Sequence, residues 1–211
     1  SRRRSRESVE AIVRTVADVQ GRCASVREPV PPDDATDWHA AVQRSRDAVR
    51  RGDCPDEQRW GEALRRVTRH LDDLVVRWRA RPVLSWCHGD VHPANALRRP
   101  MPDGQSGRCV LIDLALVHPG HWVEDALYLE RQHWGHEEFL FGVDPVEALA
   151  QFRRERGLPV EDGYQRWADL RRILTAAGAP GLIGVEGNAR YLRAALDVLS
   201  RRVRHAHPLD G

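Results

Sequence analysis

The sequence predicts an α+β chain, mostly helical, with one small central β-hairpin. Three observations carry this prediction. Apolar residues recur at three- and four-residue steps through the segments before Pro82 and again beyond Gly120, the period of amphipathic helices. Between them, Pro82 to Asp113 holds short, partly β-branched apolar runs separated by turn formers. No internal repeat or low-complexity tract suggests an array architecture.

Taken in order, "SVEAIVRTVADVQGR" (Ser8 to Arg22) predicts an amphipathic helix with Ser8 as N-cap and Gly21 near its end. "REPVPPDD" interrupts the chain, and Asp37 or Thr36 caps a second helix running to about Arg51, where "GDCP" ends it. Asp56 to Arg79 reads as one longer helix, with Trp60, Leu64, Val67, Leu71, Leu74, Val75 and Trp78 on one face as core residues. "VLSWC" predicts a buried strand leading into "HGDVHPAN". "ALRR", the turn formers "PMPDGQSG" and "CVLID" then make a hairpin. Beyond Gly120, helices are expected at about Val123 to Trp134, Val146 to Arg156, Tyr164 to Ala177 and Ala189 to Arg204. "GAPGLIGVEG" lacks the G-x-G-x-x-G spacing of a phosphate cradle, follows a helix and not a strand, and so reads as a helix connection.

Composition narrows the function. With 211 residues, 41% of them hydrophobic, the chain supports one well-buried domain, 1–211. Its parts are a helical segment 1–80, a central core 81–135 and C-terminal helices 136–211. A net charge of +2 creates no broad field for nucleic acid or an anionic membrane, and the opening "SRRRSR" reads as a solvated end. The longest uncharged stretch, Ile173 to Val185, is thirteen residues broken by glycine and proline, too short to span a bilayer. Cys23, Cys54, Cys87 and Cys109 form no C-x-x-C pair, and the expectation is a reduced, cytoplasmic protein. Every basic residue is arginine, which removes Schiff-base chemistry and any phosphate-gripping lysine.

The chemistry concentrates in "WCHGDVHPAN". Phosphoryl transfer to an alcohol needs a carboxylate to orient the hydroxyl and accept its proton, and hard oxygen ligands for magnesium. Asp90 suits the first role; Asn95 and Asp113, which a hairpin brings to one end of the sheet, suit the second. The spacing permits this geometry without demanding it. A zinc cage of His88, Asp90 and His92, completed by His118 or His121, is an alternative, as is a polar turn of no chemical role. In the zinc reading, Asn95 and the acidic residues downstream have no purpose. The tail "HAHP" reads as solvated.

"HGDVHPAN" followed by "VLIDLALVHPGHWVEDALYL" resembles the C-terminal lobe of the aminoglycoside phosphotransferase and choline kinase family of protein-kinase-like enzymes. The match includes Gly120 seven residues after Asp113 and Asp125 twelve after it. The resemblance implies that Asp90 is the catalytic base, that Asn95 and Asp113 hold magnesium, and that Asp125 braces the loop from a helix, with His88 orienting the loop backbone. Leu114 replaces the family's common tryptophan, and His121-Trp122 stand where Asp-Pro is frequent, so an unusual substrate-side wall is expected. The family's β-rich nucleotide lobe with its strand lysine has no counterpart before His88. Since the chain opens on Ser1, the expectation is the C-terminal lobe of a longer kinase.

The expected reaction is magnesium-dependent transfer of the γ-phosphoryl group of ATP, or another nucleoside triphosphate, to a hydroxyl of an aminoglycoside-like or amino-alcohol substrate. Glu124, Glu130, Glu137 and Glu138 are expected to cover helix surfaces, with attraction of a cationic substrate as the alternative. A non-catalytic, lobe-only binding or scaffold protein is the competing function, and a zinc hydrolase a third.

Overall fold

The computed structural model describes residues 5–26, 36–100, 106–182 and 188–205. The basic residues Arg2 to Arg4, the proline-rich 27–34, the hairpin turn 101–105, the glycines at 184 and 187 and the histidine tail beyond 205 lie outside them. In chain order the elements are α1 (Arg6–Val26), α2 (Trp38–Arg50), α3 (Glu57–Arg69), α4 (Leu71–Arg79), β1 (Ser85–Cys87), β2 (Ala96–Pro100), β3 (Ser106–Leu111), β4 (His118–Gly120), α5 (Val123–Arg131), α6 (Pro145–Glu155), α7 (Gln165–Leu182) and α8 (Ala189–His205). Short 3-10 turns cover Pro93–Asn95 and Glu137–Leu140. The fold is mostly helical with two small antiparallel strand pairs, β1 with β4 and β2 with β3. Among the described residues no helix is long and apolar enough to cross a membrane.

The chain divides into two compact units, each drawn from two stretches of sequence. The first takes Ser1–Asp33 and Pro82–Tyr164. Here α1 packs on α6, β1 and β3, while α5 packs on α6. The face of α1 that turns inward is Val9, Ile12, Val13, Val16, Ala17 and Gln20, one stripe at helical spacing. Ser5, not Ser8, stands at its start, its Oγ accepting the Ser8 N–H at 3.3 Å. Asp144 caps α6 by accepting from Val146 and Glu147 N–H, with Pro145 in the first helical position, where its missing donor costs nothing.

The second unit takes Asp34–Arg81 and Gln165–Gly211. Helix α7 packs against α2, α4 and α8, and α3 against α2 and α8. Asp37 caps α2, accepting from Ala40 N–H at 2.9 Å. The expected helix 56–79 is two helices, α3 and α4, because His70 leaves helical geometry at φ −121°. The apolar period runs through that break unchanged: Trp60, Leu64, Val67, Leu71, Leu74, Val75 and Trp78 are all buried. Spacing alone therefore shows a single helix. Arg171 lies over the rings of Trp38 and Trp78 at 4.8 and 5.1 Å, a cation on two aromatic faces of this core.

Helix α7 also outruns the expected end at Ala177, continuing through Gly178 and Pro180 to Leu182. Burial of Thr175 through Pro180 overrides the breakers' local preference. Gly181 permits a close helix approach: a Cβ there would lie 2.8 Å from both Arg44 Cβ and Ser45 N on α2. The Gly181 N–H donates to Ser45 Oγ at 3.0 Å in the same contact. Replacing Gly181 by alanine forces α2 and α7 apart and should lower stability by about 1–3 kcal/mol, as overpacking does, read by urea unfolding. An unchanged midpoint would refute the tight contact.

Candidate active site

Strand β1 delivers the chain into the loop His88 to Asn95, and β2 begins at the next residue. Two hydrogen bonds set the loop against the end of β3. Ile112 N–H donates to the Asn95 carbonyl at 3.0 Å, and His88 Nε2–H donates to the Ile112 carbonyl at 3.0 Å. Because a carbonyl only accepts, the His88 proton belongs on Nε2, leaving Nδ1 to accept from Asp90 N–H at 3.3 Å. The ring of His88 thus spans the loop and the strand end. Gly89 has φ +80°, and a Cβ there would sit 2.3 Å from the Leu116 carbonyl, so only glycine passes this point.

Asp125, in the first turn of α5, is 1% exposed. Its carboxylate accepts from His88 N–H at 3.1 Å, Gly89 N–H at 3.0 Å and Gln20 Nε2 at 2.9 Å. Burial pushes this carboxyl above its ordinary value, while the two backbone donors and Gln20 pull the other way. Gln20 is itself held: its Oε1 accepts from Arg153 at 2.6 Å. Arg153 also donates to Ser85 Oγ and to the Pro159 carbonyl. Burial lowers its guanidinium to about 10, which leaves it charged at neutral pH. Helices α1 and α6 therefore reach the loop through one buried polar chain.

The Asp90 carboxylate accepts from Tyr128 and, at 2.9 Å, from Asn95 Nδ2, which also donates to the Asp90 carbonyl at 3.1 Å. His92 Nε2 lies 3.5 Å away. The Tyr128 hydrogen bond is the main cause holding this carboxyl below the usual carboxylate range, against the opposing effect of burial and with help from His92 and Asn95. With its amide nitrogen committed to Asp90, Asn95 has only Oδ1 to offer a cation. Asp113, the second residue past β3, is exposed and at φ +62°, a conformation that aspartate tolerates better than most residues. Its backbone neighbour Ile112 is the residue bonded to both Asn95 and His88, so the strand end and the loop are joined at this point.

The zinc cage does not assemble. Both ring nitrogens of His88 are spent on the backbone, His92 Nδ1 caps Ala94 N–H, and His121 pairs with Glu161. His88, Asp90 and His92 form no metal-holding group among the described residues. His121 and Trp122 are each 1% exposed, so they form no open wall toward a substrate. Both donate to Glu161. Burial opposes ionisation of Glu161, but these hydrogen bonds prevail and take its carboxyl down to about 2. Glu124 is buried too, accepting from His121 N–H at 2.8 Å, and covers no helix surface. Glu137 and Glu138 do lie on the surface, beside Gly135 and His136.

Sequence reasoning missed Tyr128, Gln20, Arg153 and Glu161. Tyr128 had a signal, since it lies three residues after Asp125 on one face of α5. Gln20 and Arg153 had only the oddity of polar residues within apolar helical stripes.

Asp125→Ala should orphan the buried His88 N–H and the half-buried Gly89 N–H, at roughly 1–3 kcal/mol for a buried group, so urea unfolding should show a loss of at least about 1–3 kcal/mol; a loss within error would refute the bracing role. Tyr128→Phe should raise the Asp90 pKa toward 3.8, read by carboxyl NMR titration. A depressed carboxyl contributes stability above its ordinary pKa and loses it as pH falls through the folded value. The wild-type advantage over Tyr128→Phe should thus be present at neutral pH and fade below about pH 3.8; a gap independent of pH would count against the Tyr128–Asp90 bond.

No curated protein and no solved structure matches the chain at a significant level. The family model described as the phosphotransferase enzyme family, APH, matches residues 1–170. That span includes the loop 88–95, the strand end at Asp113 and the bracing Asp125. The chain belongs to the APH phosphotransferase family.

Proposed function

We propose that this chain is the C-terminal, catalytic lobe of a cytoplasmic small-molecule kinase. Its reaction moves the γ-phosphoryl group of ATP, or another nucleoside triphosphate, to a hydroxyl of an aminoglycoside-like or amino-alcohol substrate. The observation that carries the reading is Asp90: a carboxylate kept ionised and aimed by Tyr128 and Asn95, on a loop whose backbone is pinned by Asp125. Such a group accepts the proton of a hydroxyl as its oxygen attacks phosphorus. Asn95 Oδ1 and the Asp113 carboxylate are hard oxygen donors that suit magnesium. The bound ion would spread the charge of the phosphoryl group in flight. The free thiols of Cys23, Cys54, Cys87 and Cys109 support the cytoplasmic placement.

With no lysine in its 211 residues, the chain lacks the family's usual grip on nucleotide phosphates. Residues 1–211 alone should bind magnesium-ATP weakly and turn over little, because positioning and electrostatics supply nearly all the catalysis in this chemistry. Rapid magnesium-dependent phosphorylation of an alcohol by residues 1–211 alone would overturn the assignment as a lobe in need of a phosphate-binding segment.

In the full gene product, Asp90→Asn should lower kcat by roughly 10² to 10⁴ with nucleotide affinity little changed. Asp113→Asn should weaken magnesium-nucleotide binding and turnover together, with partial rescue by excess magnesium. Calorimetric titration and a phosphate-transfer assay over a panel of aminoglycosides and amino-alcohols read both. Equal loss of nucleotide binding in the two variants would deny Asp90 the role of base, and a full gene product without transfer to any alcohol would favour the scaffold function.

A further inference from the structure

Behind the loop, side chains of a different chemistry converge. Cys87 and His118 are direct partners across the β1–β4 pair, and Glu124 reaches them from the first turn of α5. One ligand atom from each, the Cys87 sulfur, a His118 ring nitrogen and a Glu124 carboxylate oxygen, all lie within 4.8 Å of one another. Cys87 is 1% exposed and the Glu124 side chain 6%.

The hydrogen bonds around the cluster orient it. His118 Nδ1 lies 2.9 Å from the Leu116 carbonyl, which only accepts, so Nδ1 carries a proton and Nε2 is turned toward Glu124 Oε2 at 3.6 Å. Glu124 Oε1 is fixed by the His121 N–H at 2.8 Å. A histidine whose outer nitrogen donates to a carbonyl, beside a carboxylate that is itself hydrogen-bonded, has the outer support that metal-ligating side chains carry. Two ligands of one tetrahedral ion at bond lengths of 2.0–2.1 Å stand about 3.4 Å apart, close to the His118–Glu124 spacing. The backbone also makes room: a Cβ on Gly120 would lie 2.8 Å from Glu124 Oε1 and 3.0 Å from Cys87 Sγ.

We propose that Cys87, His118 and Glu124 form a cation site of zinc-like preference, with three protein ligands and a fourth position for water reached along the exposed edge of His118. Thiolate and imidazole select a softer ion than the all-oxygen pair Asn95 and Asp113. On binding, the Cys87 thiol releases its proton to solvent and gives up its 3.4 Å contact with the His121 carbonyl for a bond to the ion. The ion ties together β1, β4 and α5, the elements from which the loop and Asp125 emerge. The site is independent of the kinase assignment.

The test is a cobalt(II) titration of the purified chain, with cobalt as a coloured stand-in for zinc. One equivalent should produce the near-ultraviolet sulfur-to-cobalt charge-transfer band. Cys87→Ser should abolish the band, His118→Gln should weaken the affinity read from it at least tenfold, and Asp113→Asn should leave the band unchanged. A titration without the band overturns the proposal, as does a band that survives Cys87→Ser and so belongs to Cys23, Cys54 or Cys109. His118 is 37% exposed on its side chain, so unchanged cobalt affinity in His118→Gln overturns the proposal even if Cys87→Ser does not fold.

Discussion

The loop that carries Asp90 depends on one buried carboxylate. Asp125 holds the backbone N–H groups of His88 and Gly89, two consecutive donors that no strand or helix satisfies. A charge this deep is costly unless surrounded by donors. Gln20 supplies the third, and Arg153 holds Gln20 while adding a positive charge nearby. The loop's position is therefore decided by residues from α1, α5 and α6 together, each of which buries its apolar stripe in the same unit. The packing of three helices becomes the placement of one carboxylate.

What that placement achieves is a division of labour among carboxylates. Asp125 is raised by burial and serves the backbone; Asp90 is lowered by Tyr128, Asn95 and His92 and stays ionised near solvent. Glu161, drawn to about 2 by His121 and Trp122, fixes the segment that enters α5. Groups of one chemical type thus take different roles because their surroundings push their proton affinities apart. Asp113 differs again, exposed and at positive φ, a backbone state that costs energy and so points to a placement serving more than packing. Exposed Ile112, Leu114, Leu116 and Val117 flank it, an apolar surface beside a charged group.

The β1–β4 pair was not visible in the sequence. "HPG" has neither the length nor the alternation of a strand. It becomes one because β1 lies opposite and because Gly120 allows Glu124 and Cys87 to approach. That pairing sets Cys87 against His118, residues thirty-one positions apart whose chemistry has meaning only once they are neighbours.

The helical character, the β2–β3 hairpin, a cap at Thr36 or Asp37 and the core stripe from Trp60 to Trp78 were legible in the sequence, since each follows from periodicity or turn chemistry within a few residues. The sequence also singled out the loop 88–95 with Asp113 and Asp125, because their spacing resembles that of a family whose model the chain matches. The remainder came from packing. It broke the helix at His70, carried α7 through Pro180, turned His121, Trp122 and Glu124 inward, and joined Tyr128, Gln20 and Arg153 to the loop. These outcomes depend on which surfaces meet across long separations in the chain. Local pattern reports what a segment prefers, and burial against distant partners determines whether that preference survives.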